Sequence, residues 1–151
     1  NQKYSKEQIK IHVIYHEFEC YRAKRDSFKE KLKDLPDGTY DFDTGNPIDF
    51  SGQKKYQVAF QTTSSEDETS SNYLTNEEYD ALVEYFSLET GSKPYLGKFE
   101  VPETSFLCDK LEQAMKLAKK YNQKSIWSWE IMKEIQNPNY DPTQNFVKCR
   151  Q

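Results

Sequence analysis

The two histidines of the chain and one of its three cysteines fall within nine residues, HVIYHEFEC, as His12, His16 and Cys20. Histidine and cysteine are common zinc ligands, so the i, i+4, i+8 spacing raises metal binding first. On a helix His12 and His16 are neighbours. Cys20 then lies roughly 12 Å from His12 along the axis at 1.5 Å per residue, too far to share one ion. On a strand even the two histidines separate by about 13 Å at 3.3 Å per residue. An HExxH motif is absent, because Cys20 stands where its second histidine belongs. Cys20, Cys108 and Cys149 are odd in number and widely spaced, and they form neither a zinc pattern nor a disulfide framework. No metal and no cofactor is expected, and reduced thiols suit a cytoplasmic protein.

Acid–base chemistry needs a carboxylate with a shifted pKa and a partner. Carboxylates abound, as Asp41, Asp43 and Asp49 and as Glu77, Glu78, Asp80 and Glu84, but spacing selects none of them. No G-x-S-x-G, C-x-x-C or Walker-type loop is present, and five glycines leave little for a phosphate cradle. Gly38 and Gly45 read as turn residues. A hydrolase using the hairpin acids and His16 is kept as an alternative, with no catalytic residue assigned.

Phosphate binding wants clustered positive charge. Arg22, Lys24, Arg25, Lys29, Lys31 and Lys33 are interleaved with Asp26, Glu30 and Asp34, which makes a mixed surface. Lys116, Lys119, Lys120 and Lys124 form a smaller cluster. A nucleic-acid-binding accessory is a further alternative, set below a protein partner. Trp127 and Trp129 are two residues apart, so on a strand they share a face. One of them at least is expected in the core, and an exposed indole would suit an interface.

With 151 residues the chain is expected to form a single domain, 1–151, with a real core. Hydrophobic content is 35%, yet aromatics make up 15%, with 11 Tyr and 9 Phe, which argues against disorder. No run of 18 apolar residues exists, so no membrane span is expected, and no signal peptide is visible. The first residue is Asn1 rather than Met, which points to a removed leader or a chosen boundary. Net charge is +1 over residues 1–60, −8 over 61–108 and +3 over 109–151. The acidic centre could steer toward a basic partner.

Ser5-Lys6-Glu7-Gln8 fits a capping box opening a helix over about 6–35, with a strand through Ile9, Ile11, Val13 and Tyr15 as the alternative. Phe28, Leu32 and Leu35 form its later apolar face, and Pro36-Asp37-Gly38 ends it. Residues 40–43 and 48–50 read as a hairpin about Thr44-Gly45-Asn46-Pro47. Tyr56, Val58 and Phe60 alternate with Gln57, Ala59 and Gln61 as a half-buried strand. TTSSEDETSSN, 62–72, is expected to be a mobile acidic loop. Thr75-Asn76-Glu77-Glu78 opens a second helix with Tyr79, Leu82, Val83 and Phe86 inward. Residues 95–101 form a strand that Pro102 interrupts, and 105–108 a short partner. Asp109 caps a third helix bearing Leu111, Ala114, Met115, Ala118 and Tyr121. Residues 125–130 and 131–135 close the sheet. The fold expected is α+β, about three helices on a mostly antiparallel sheet of five to six strands.

The runs Ser105–Cys108, Leu111–Ala114, Ala118–Gln123 and Ser125–Trp129, with Leu35–Phe42 and Tyr56–Thr63, resemble short accessory proteins of Bacteroides-type gut bacteria, their phages and conjugative elements. The resemblance covers about half the chain and contains no catalytic motif. It implies a small accessory gene of a mobile element, of a kind that often acts on a host factor. The expected function is therefore non-catalytic protein binding. The expected surface is Glu66, Asp67, Glu68, Tyr73, Glu77, Glu78 and Asp80, with Trp127 and Trp129.

Overall fold

A computed structural model describes residues 5, 6, 21–60, 75–99 and 101–143. HVIYHEFEC, the helix-or-strand question at 9–16 and the acidic loop 62–72 lie outside them, as does Cys149. The elements in chain order are α1 (Tyr21–Leu32), β1 (Gly38–Asp41), β2 (Pro47–Ile48), β3 (Tyr56–Ala59), α2 (Asn76–Thr90), β4 (Tyr95–Phe99), β5 (Val101–Cys108), α3 (Leu111–Lys120), β6 (Ser125–Ser128) and β7 (Lys133–Gln136). The fold is α+β. Among the described residues seven strands form one sheet, ordered β2-β1-β4-β5-β3-β6-β7, with every pairing antiparallel. No helix among the described residues is long and apolar enough to cross a membrane.

The helices cover one face of this sheet. Alternation along the strands sends Val58, Phe106, Cys108 and Ile126 toward α2 and α3. Tyr79, Leu82, Val83 and Phe86 of α2 meet them with at most 1% exposure, as the i, i+3, i+4, i+7 spacing requires. Phe86 is the hub, with ring centroids 5.2 Å from Phe60, 5.2 Å from Phe106 and 4.7 Å from Tyr121. A second cluster lies under α1, where Phe28 and Leu32 pack with Tyr40, Phe42 and Leu96.

The termini of α2 follow from local chemistry. The Thr75 hydroxyl accepts the Glu78 N–H at 3.2 Å. Gly91, at φ 68°, donates its N–H to Ser87 O at 2.9 Å, a left-handed cap that suits a residue without Cβ. Gly45 needs its glycine twice. Its φ is 75°, and a Cβ there would stand 3.1 Å from the Phe28 ring.

Four local expectations are corrected. α1 ends at Leu32, and Leu35 is 40% exposed, because a residue preceding proline is pushed out of helical geometry. Gly38 is the first residue of β1, paired with Lys98, and not a turn residue. Pro102 lies within β5, opposite Lys98. The β3 ladder reaches only Ala59 opposite Ser105, so at Pro102 β5 has a described partner on one side alone and a missing N–H is tolerated. Lys110, not Asp109, is the residue before α3, and the Asp109 carboxylate instead holds Lys55 Nζ at 2.7 Å.

Candidate functional site

The opposite face of the sheet is polar and aromatic. Strand alternation places Thr39, Gln57, Gly97, Ser105 and Trp127 there, with Trp129 arriving from the turn after β6. Gln57 organises them. Its Oε1 accepts from Thr39 Oγ1 at 3.0 Å and from Trp129 Nε1 at 2.9 Å, and its Nε2 donates to Ser105 Oγ at 2.7 Å. All four residues are buried, so each polar group is desolvated and paired.

This network reports the shape of the sheet. β1 and β3 are separated by β4 and β5, three inter-strand spacings, or roughly 14 Å in a flat sheet. Thr39 and Gln57 touch across that interval, so the sheet curls and this face is concave. Gly97 lies beneath the crossing. A Cβ there would stand 3.2 Å from both Gln57 Nε2 and Ser105 Oγ.

Aromatic rings rim the polar floor. Phe50 meets Tyr95 edge-on at 5.7 Å and Trp129 at 5.5 Å, and Trp129 meets Trp127 at 6.3 Å. Backbone bonds from Gly52 N to Trp129 O and from Trp129 N to Lys55 O, both 2.9 Å, lock the loop carrying Phe50 to the turn carrying Trp129. Trp129 is 6% exposed, whereas Trp127, Phe50 and Tyr95 are half-buried.

Of the residues expected to form one binding surface, the described ones fall on two sides of the sheet. Glu66, Asp67, Glu68 and Tyr73 lie outside the described residues. Glu77 is exposed in the first turn of α2, where a carboxylate suits the helix dipole. Glu78 donates its N–H to Thr75. Asp80 accepts the Tyr21 N–H at 2.7 Å, satisfying a donor at the described start of α1. Those three acids sit on the helix-covered side, while Trp127 is on the concave side, beside Gln57 and opposite Glu134.

The hairpin acids close their own turns. The N–H groups of Thr44 and Asp43, with Lys93, hold the Asp41 carboxyl below its ordinary value. The Ser51 hydroxyl and N–H do the same for Asp49, and Asp43 pairs with Lys24 at 2.7 Å. Burial, with Asp109 nearby, pushes the Cys108 thiol up to about 12, which leaves almost no thiolate at neutral pH. Among the described residues no three His, Cys, Asp or Glu side chains group as metal ligands. Of the basic clusters, Lys24 and Arg25 pair with Asp43 and Asp26, and Lys120 donates to Tyr85 OH at 2.6 Å. Lys116 and Lys119 border a shallow groove that also includes Glu112.

Sequence reasoning missed Gln57 and Glu103. Gln57 alternates with apolar residues and so reads as solvent-facing, yet it is 8% exposed. Glu103 lies on β5 opposite Gly97, and burial pushes its carboxyl up to about 7, with Arg25 pulling back. No family model matches the chain, and no curated protein or solved structure is significantly similar to it.

Proposed function

We propose that this protein is a binding module that engages another protein through the aromatic rim of its concave sheet face, as an accessory factor of the kind mobile elements encode. The observation that carries this reading is the contrast within the rim. Trp127, Phe50 and Tyr95 are only half-buried, while Thr39, Gln57, Ser105 and Trp129 beneath them are hydrogen-bonded and buried. Aromatic anchors held rigid before binding lose little side-chain freedom on association, and Trp and Tyr dominate interface hot spots. The acidic centre of the chain is a steering element in this reading, speeding encounter with a basic partner.

The test is capture of partners from lysate by tagged wild-type protein and by Trp127→Ala, with and without nuclease. One protein retained by the wild type in both conditions and lost by the variant is the expected result. Capture that nuclease abolishes would favour nucleic acid. Equal capture by both forms would exclude the rim as the contact surface.

A further inference from the structure

We propose that the outer edge of β7 is a self-association surface, on which a second copy of this chain pairs antiparallel about Ile135. β7 is the last strand of the sheet, and among the described residues no strand pairs with its outer side. An unpaired edge is a row of N–H and C=O groups ready to accept another strand. Charged residues usually guard such edges, and β7, with sequence KEIQ, carries Lys133 and Glu134. Here they are compatible with self-pairing. In the register centred on Ile135, each Glu134 faces Gln136 of the other copy, and each Lys133 faces Asn137. No like charges oppose one another. The half-buried Ile135 side chains, each packed at the margin of the main core, meet at the centre.

Two further observations fit the same occupant. α3 packs over β3, β5 and β6, so two sheets can approach edge to edge without their helices meeting at β7. The ends of β7 are also apolar and exposed. Ile131 is 54% exposed, Met132 44% and Tyr140 37%. Met132 takes φ 53°, a left-handed conformation that a long side chain rarely adopts, and it turns the chain sharply into β7. The proposed register sets the Ile131–Met132 turn of one copy beside the Pro138–Tyr140 segment of the other, covering apolar surface at both ends.

The experiment is sedimentation velocity of the full chain over a concentration series, for wild type, Gln136→Lys and Gln136→Glu. Gln136 is exposed on the strand, so neither change disturbs the core. A monomer–dimer equilibrium is expected. Lys at 136 faces Glu134 of the other copy and tightens it, and Glu at 136 weakens it. With two symmetric pairs, each shift is roughly two- to thirtyfold in dissociation constant. A wild type that is monomeric throughout would overturn the proposal and leave the edge to an extended segment of another protein. A dimer to which Lys and Glu at 136 do the same thing would overturn the register.

Discussion

The two faces of the sheet are built by different chemistry. Under the helices, stability comes from area. Rings and aliphatic side chains of α2, α3, β3 and β5 interlock, and within them the Tyr79 hydroxyl pairs with Thr104 and, at 3.4 Å, with Arg25. On the concave face, stability comes from matching donors and acceptors around Gln57, with aromatic rings at the margin. The first face tolerates any well-shaped apolar set. The second fails if one member of the network is removed, because its partners stay buried and unpaired. A face that is specified so tightly, yet leaves three aromatic residues half-buried, is suited to presenting them in one arrangement.

Substitutions separate these regimes. Phe86→Ala should be the most damaging, at about 3–5 kcal/mol by urea or guanidinium unfolding, since it opens a cavity among Phe60, Phe106 and Tyr121. Gln57→Met nearly keeps the volume but strands Thr39, Ser105 and Trp129. Its cost should be about 2–4 kcal/mol, with Trp fluorescence changed in the native state. Phe86→Leu should lose much less than Phe86→Ala, whereas no apolar residue at 57 should recover wild-type stability.

Glu103 gives a pH-dependent effect. Its folded pKa, about 7, is above the ordinary 4.5, so the fold prefers the neutral acid. That contribution is fully present below pH 4.5 and is lost as pH rises through about 7. Glu103→Gln should therefore be near neutral at acid pH and stabilising above pH 7, by about 1–3 kcal/mol. Equal stability of both proteins at all pH values would refute the shift. Thr75→Ala should have the smallest effect, about 1 kcal/mol, through the lost cap of α2.

The helix face was legible in the sequence because its signal is periodic. Tyr79, Leu82, Val83 and Phe86 announce α2, and Tyr56, Val58 and Phe60 announce the strand beneath it. The concave face was not, for a physical reason. Thr39, Gln57, Gly97 and Ser105 are ordinary surface types, and only the curl of the sheet brings them together. Gly97 reads as a weak point in a strand until Gln57 is seen crossing it. The acids at 77, 78 and 80 were conspicuous, but Asp80 is spent on α1 and Glu78 lies against the Thr75 cap. Of the tryptophans, burial of Trp129 followed expectation, and the partial exposure of Trp127 needed the register.

The most direct test of the binding account compares two variants against the captured partner by isothermal titration. One is Trp127→Ala, and the other is Glu77→Gln with Glu78→Gln, each first shown to be folded by circular dichroism. Trp127→Ala should weaken binding by about tenfold or more, since truncating a hot spot costs more than about 1.4 kcal/mol, and the paired Gln variant should change it far less at physiological salt. The reverse order, with wild-type affinity in Trp127→Ala and a large loss in the paired variant, would contradict it and move the contact surface to the helix side of the sheet.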